Sequence, residues 1–70
     1  MAQFYFHIRD GAIAFDDHTG ADLLDDAAAE AFARVIANNL VAGGRHDRFY
    51  VDVRNEYDIQ IAVVFVLPRA

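Results

Sequence analysis

Two short stretches of the chain carry aromatic or ionisable side chains at every second position. The six residues are Tyr5, His7, Arg9, Tyr50, Asp52 and Arg54. Residues two apart in a β-strand project from the same face of a sheet. If both stretches are strands of one sheet, these side chains make an open surface of rings, guanidinium groups and one imidazole. Such a surface could bind a ligand, or it could be a solvated face held by cross-strand pairs such as Arg with Asp and Tyr with Tyr.

Catalysis has little support in the sequence. A dyad of His7 and Asp52 could transfer protons if their strands are neighbours, although a His–Asp pair across two strands is more often structural. The chain contains no Cys and no Ser, and its single Thr, Thr19, stands beside His18 without any motif of an activated nucleophile. We therefore expect no enzymatic activity and no catalytic residues.

Metal and cofactor binding are not indicated either. The three histidines are His7, His18 and His46, and no two of them stand at the i,i+4 spacing of a metal-binding helix. The absence of Cys excludes thiolate ligands. Acidic residues around His18 could hold a hard cation, but a solvated acidic loop that leads into a helix explains them more simply. We expect no metal and no cofactor.

The charge balance restricts the partners of the protein. Asp and Glu number 11 against 6 Arg and no Lys, for a net charge of −5. An acidic surface repels phosphate backbones and anionic membranes, so we expect the chain to bind neither. The N-terminal residues do not resemble a signal peptide, and the longest apolar run, residues 61–67, is too short to span a bilayer. We expect a cytoplasmic protein.

Alternating hydrophobicity predicts two pairs of β-strands, one pair on each side of a helix. Residues 3–9 and 49–54 alternate with period two, and their inward sets are Phe4, Phe6, Ile8, Phe49, Val51 and Val53. The Asp10-Gly11 pair predicts a tight hairpin after the first strand. That hairpin would place Phe6 opposite Phe15. A second turn at residues 55–58 leads to the last strand.

Between the strand pairs, the sequence predicts a loop at residues 16–22 and then one helix. Gly20 can take the left-handed conformation in this loop. Asp25 or Asp26 caps the start of the helix, and the glycines at 43–44 end it. The buried stripe at helical spacing is Ala28, Phe32, Val35, Ile36, Asn39 and Leu40.

The last strand, residues 59–67, is apolar on both sides. Its odd positions match the inward sets of the other strands, which leaves Val64 and Val66 on the outward face. One helix covers one face of a sheet, so these valines form an exposed strip unless the strand is central or another chain covers it. A second copy would cover the strip and would support the marginal core of a 70-residue domain.

These patterns define one α+β domain over residues 1–70, with the element order β-β-α-β-β. The four-stranded sheet is antiparallel or mixed, and the helix packs on one of its faces. Strand order 2-1-3-4 puts the last strand at an edge, ready to pair with another chain. Order 2-1-4-3 puts it in the middle, which its two-sided hydrophobicity also favours.

Residues 4–11 read Phe-Tyr-Phe-His-Ile-Arg-Asp-Gly. This segment resembles the start of an uncharacterised family of small proteins from rhizobia and related alphaproteobacteria, which begin aromatic-aromatic-Phe-His-x-Arg-Asp-Gly. The family continues with a D-x-x-G loop, here residues 17–20, a Leu-x-Asp start of an Ala-rich helix, here residues 23–25, and a final aliphatic hairpin. It often has Gly where this chain has Asp58, and Pro where this chain has Leu24. The resemblance implies the fold and a bacterial origin, and no catalytic residues.

No motif reveals the function. We predict a small cytoplasmic interaction or regulatory module that acts through homodimerisation, or that binds another protein by its open sheet face. The residues of that face are Tyr5, His7, Arg9, Tyr50, Asp52, Arg54, Val64 and Val66. The alternative is a small-ligand or nucleic-acid binding module that uses the aromatic and Arg residues of the same face.

Overall fold

The alternating segments form one antiparallel sheet, and the Ala-rich segment forms a helix that packs on one face of it. The computed structural model describes residues 1–10, 14–44 and 48–66. Its elements are β1 (Ala2–Asp10), β2 (Ala14–Phe15), β3 (Ala21–Leu23), α1 (Asp26–Ala42), β4 (Phe49–Asn55) and β5 (Gln60–Val66). Every strand pair in the described residues is antiparallel. The α+β prediction is confirmed.

The strands lie in the order β2-β1-β4-β5, and β3 also pairs with β1. Without β3 this is the order 2-1-3-4, so β5 lies at an edge of the sheet and the alternative with the last strand in the middle is wrong. β3 lies at the end of the segment that was predicted as a loop. It pairs with the start of β1, with Leu23 opposite Ala2 and Ala21 opposite Phe4. A strand of three residues carries too little alternation to be told from a loop in the sequence.

The first hairpin has a different register from the predicted one. Ile8 pairs with Phe15, so the prediction of Phe6 opposite Phe15 is wrong. A displacement of two residues keeps each side chain on its predicted face, because the side-chain period of a strand is two. Gly11 of the predicted turn lies outside the described residues.

Helix α1 begins and ends where its capping residues predict. Asp25 is the N-cap, and its side chain accepts a hydrogen bond of 2.8 Å from the N–H group of Ala28. Gly43 is the C-cap, and Gly44 follows it with a φ of 102°. Glycine adopts this left-handed conformation without a steric penalty. The predicted helix boundaries are confirmed.

Helix α1 buries its smallest side chains rather than its largest. Its buried residues are Ala29, Ala33 and Ala37. Of the predicted stripe, Ala28, Ile36 and Leu40 are half-buried. Phe32, Val35 and Asn39 are exposed, so this part of the prediction is wrong. Alanine side chains let the helix backbone approach the sheet closely. Because protein interiors are close-packed, the centre of this contact then has no room for larger side chains.

The core lies between α1 and one face of the sheet. The sheet contributes Phe4, Phe6, Phe49, Val51, Val53 and Val64, all of them buried. Phe6 pairs with Val53, and Ile8 with Val51. Phe32 borders this core from the helix flank, with its ring centroid 5.0 Å from that of Phe6. The inward residues predicted for β1 and β4 therefore lie side by side on the helix-covered face of the sheet.

The final turn places Asp58 in the left-handed region, at a φ of 61°. The Asn55 side chain supports the turn, because its oxygen accepts the N–H groups of Tyr57 and Ile59 at 2.9 and 3.0 Å. Glycine would adopt the Asp58 conformation with less strain. The predicted turn at residues 55–58 is confirmed.

A β-bulge reverses the predicted faces of the last strand. Val53 pairs with Ala62. The next residue of β4, Arg54, pairs with Gln60, so Ile61 is an extra residue in β5. One extra residue moves every following side chain to the other face of the sheet.

Val64 and Val66 therefore lie on the helix side, and the prediction of an outward strip made of these valines is wrong. Val64 is 6% exposed and belongs to the core. Val63 and Phe65 face away from the helix instead, because they pair with outward residues of β4. Phe65 is 71% exposed. The sheet does carry an apolar strip opposite the helix, but these other residues form it.

Candidate functional site

The sheet face opposite the helix gathers the six aromatic and ionisable residues that the alternation picks out. Their cross-strand pairs are Tyr5 with Arg54, His7 with Asp52, and Arg9 with Tyr50. We call this surface the open face, and it also carries Val63 and Phe65. The alternation placed the six correctly because β1 and β4 are regular neighbours throughout their pairing.

Asp52 is the buried charge of the open face. It is 6% exposed. Its Oδ2 accepts a hydrogen bond of 2.9 Å from Nε of Arg54, and its Oδ1 accepts one of 2.9 Å from Nε2 of Gln60. Burial alone would raise the pKa of the Asp52 carboxyl, but the Gln60 and Arg54 donors outweigh it and lower the pKa below its ordinary value. The same contact with Asp52 raises the pKa of Arg54.

His7 lies opposite Asp52 but binds a different partner. Its Nδ1 accepts a hydrogen bond of 3.1 Å from the backbone N–H of Asp17, which places the ring proton on Nε2. Within the described ranges, no hydrogen bond joins His7 to Asp52, whose oxygens bind Arg54 and Gln60. The two residues are therefore neighbours without the bond that would couple them as a dyad.

Replacing Asp52 with Asn is expected to lower the free energy of unfolding by about 1.5 kcal/mol at neutral pH. The loss is smaller than for a fully buried pair, because the Arg54 side chain is 31% exposed and can be hydrated. The folded state lowers the Asp52 pKa below the ordinary value of about 3.9, so this contribution is present above that value and lost as pH falls through the lowered pKa. Urea denaturation between about pH 2 and pH 7 measures it.

The matched control is Asp58→Asn. Asp58 lies 3.6 Å from Nη1 of the same Arg54, but its side chain is 83% exposed. Its replacement should change the free energy of unfolding by less than about 0.5 kcal/mol. A difference between wild type and Asp52→Asn that stays constant with pH would contradict the assigned role of the Asp52 carboxylate.

Asp17 completes the hydrogen bonding along the outer edge of β1. β3 pairs with the first part of that edge and β2 with the last part. Between them, the Asp17 carboxylate accepts the N–H group of Phe6 at 3.1 Å. It also accepts the N–H groups of Thr19 and Gly20, each at 3.0 Å. A carboxylate thus occupies the position of a missing strand neighbour.

The same donors keep Asp17 ionised. Burial opposes ionisation, but the N–H groups of Gly20, Phe6 and Thr19 outweigh it and lower the pKa of the carboxyl. Gly20 has a φ of 73°, as its predicted left-handed conformation requires. A Cβ atom at Gly20 would also stand 2.8 Å from the carbonyl oxygen of Phe4. The loop therefore lies directly against β1.

Arg9 is neutralised within its own chain. Its Nη2 lies 2.6 Å from Oδ1 of Asp16, and its Nη1 donates to the carbonyl oxygen of Phe15 at 3.3 Å. The hydrogen bond and charge of Arg9 lower the pKa of Asp16. Both guanidinium groups of the open face, those of Arg9 and Arg54, therefore have carboxylate partners.

The outer edge of β5 has no neighbouring strand among the described residues. The strand Gln60–Val66 contains no charged residue. Natural proteins protect edge strands with charges, prolines or bulges, and this strand has only the bulge at Ile61. Residues 62–66 therefore form a regular, uncharged and open edge. The sequence left two strand orders open and could not assign this edge.

Two depressions flank the β5 edge. One of about 350 Å³ lies between β5 and α1, beside Arg34 and Asn38. The other, of about 450 Å³, lies where β5 meets the ends of β1 and β4, beside Arg9, Arg48 and Tyr50. Phe65 and Val66 line both, and the Phe65 ring lies 5.5 Å from that of Tyr50. Side chains of a strand added at this edge would have space on both faces.

Other types of site have less geometric support. In the described ranges, no three histidine or acidic side chains are arranged to hold a metal ion. His7 and His18 line a depression of about 320 Å³ with Tyr5, and His46 lies outside the described residues. The described part of the chain contains no helix with the length and hydrophobicity of a membrane-spanning segment.

The fold is a small antiparallel α+β domain in which one sheet face is covered by the helix and, among the described residues, β5 forms a long edge without a neighbouring strand. The family model of DUF6894, a domain of unknown function, matches residues 3–67. The chain belongs to the DUF6894 family. Searches of curated proteins and of solved structures gave no match. The family match agrees with membership of an uncharacterised family, while the alphaproteobacterial origin and the shared opening motif stay predictions.

Proposed function

We propose that this chain is a non-catalytic protein-interaction module that binds an extended β-strand along the open edge of β5. The observation that carries the proposal is the uncharged edge at residues 62–66, which has no neighbour in the described sheet. Main-chain hydrogen bonds would supply affinity, and side chains in the two flanking depressions would supply specificity. The expected partner strand is uncharged, because β5 offers apolar contacts on both faces.

The open face supports binding less well than the edge does. Its two arginines are paired inside the chain, Arg54 with Asp52 and Arg9 with Asp16. A binder of phosphate-bearing ligands or nucleic acid would need these guanidinium groups free. The net charge of −5 also opposes nucleic acid. We therefore assign the interaction to the edge strand, and the cytoplasmic location stays a prediction from the sequence.

A synthetic strand peptide tests the proposal. The probe alternates valine and threonine over the length of β5, and about 1 mM of it is added to isotope-labelled protein, enough to detect a weak complex. Shift changes and slowed amide exchange are expected in β5, with little change in β2. The control peptide has a central proline, which cannot donate a ladder hydrogen bond. With the protein dilute enough for the β5 edge to be free of a second copy, equal effects of both peptides, or no effect on β5, would contradict strand addition.

A further inference from the structure

We propose that the strand received by β5 is β5 of a second copy of this chain, an inference that rests on the proposed function and names its partner. The two strands run antiparallel about a two-fold axis at Val64, so that each Val64 lies opposite its own copy. Val63 of one chain then lies opposite Phe65 of the other, and Ala62 opposite Val66. The two sheets join into one continuous sheet with a helix from each copy on the same side.

The edge complements itself in this register. On the open face, each pair joins an aromatic with a β-branched residue, which is a favoured cross-strand combination. On the helix side, Ala62 meets Val66 and Val64 meets itself. No charge opposes another, because the strand has none. The bulge at Ile61 interrupts the ladder, which leaves residues 62–66 as the regular edge and Val64 as its centre.

The opposite edge of the sheet explains why assembly stops at two copies. The outer edge of β1 is occupied in turn by β3, the Asp17 carboxylate and β2. A two-fold contact uses the β5 edge of both copies. The strands on the other side of the sheet, β2 and β3, have only two and three residues, and strands this short offer little edge for a further copy. The product is a closed dimer rather than a fibre.

The helix flank beside β5 suits the same arrangement. Arg34 lines the depression next to Val64 and pairs with Glu30 at 3.2 Å. A two-fold axis at Val64 brings the corresponding flanks of both helices together. Each flank carries one positive and one negative side chain, so opposite charges can meet across the interface.

Engineered cysteines test the partner and the register together. The chain has no native Cys, so the introduced thiols are the only ones. Val63→Cys protein is mixed with Phe65→Cys protein under mild oxidation, and each variant is also oxidised alone. The proposed register places residue 63 directly opposite residue 65, within disulfide reach. The mixture should cross-link roughly tenfold faster than either variant alone. In each variant alone, the two cysteines occupy the same position in the two chains, and these positions are diagonal rather than opposite neighbours.

Phe15→Cys is the control, because Phe15 is 62% exposed but lies on β2 at the opposite edge. Rapid cross-linking of Val63→Cys alone would overturn the register centred on Val64. Cross-linking of the mixture no faster than that of Phe15→Cys would overturn the second copy as partner. If the valine–threonine peptide still binds β5 in that case, strand addition stands and only the identity of the partner fails. If the peptide does not bind either, both proposals fail.

Discussion

Replacing Asp17 with Ala is expected to lower the free energy of unfolding by about 2 kcal/mol and the melting temperature by about 10 °C. The carboxylate accepts three backbone N–H groups, from Phe6, Thr19 and Gly20. Hydrogen bonds to an ionised acceptor are stronger than neutral ones. Alanine leaves the Phe6 N–H without its acceptor in the middle of β1 and releases the loop that follows β2. Urea denaturation at neutral pH measures the loss.

Asp22→Ala is the matched control for this experiment. Asp22 is an exposed aspartate in β3, next to the same loop. Its replacement should change the free energy of unfolding by less than about 0.5 kcal/mol. The folded state lowers the Asp17 pKa, so the advantage of wild type over Asp17→Ala should shrink as pH falls below about 4. Equal losses in the two variants would contradict the specific role of Asp17.

Replacing Phe65 with Lys is expected to weaken self-association roughly 100-fold and to leave the chain folded. Phe65 is 71% exposed, so the substitution costs the single chain little beyond the ring contact with Tyr50, about 1 kcal/mol. In the dimer, the introduced lysine of each chain would lie opposite Val63 of the other chain, where its charge would lose hydration. Charged side chains at such positions are what normally keep edge strands from pairing. Sedimentation equilibrium measures the dissociation constant.

Phe15→Lys separates the edge effect from a general loss of hydrophobicity. Phe15 is an equally large aromatic side chain that is 62% exposed, and it lies on β2, away from β5. Its replacement should leave the dissociation constant unchanged. If both variants weaken association equally, the contact does not depend on β5 and the proposed interface is wrong.

Features that repeat along the chain were predictable from the sequence. β1 and β4 alternate with period two, which was enough to place Tyr5, His7 and Arg9 on one face with their partners in β4. Helix α1 begins after Asp25 and ends at Gly43 because both residues satisfy free backbone groups at its ends. Periodicity and capping are local properties, so a single sequence is sufficient to read them.

Features that depend on one residue or on packing were not predictable. Residues 61–66 are all apolar, so the hydrophobic pattern does not show which side of β5 faces the helix, and it gives no sign of the bulge that turns Val64 inward. The buried face of α1 depends on how closely the helix approaches the sheet, which favours Ala33 over Phe32. Asp17 acquires its partners only because β2 and β3 leave a gap along β1.

The mass of the wild-type chain in solution tests the central claim most directly. One chain has a mass of 7.8 kDa. Between about 1 µM and about 1 mM, the weight-average mass is expected to rise from one chain towards two and to level off there, as for a weak interface of standard or smaller size. A mass that stays at one chain over this range, or that continues to rise beyond two, would contradict closed pairing through β5.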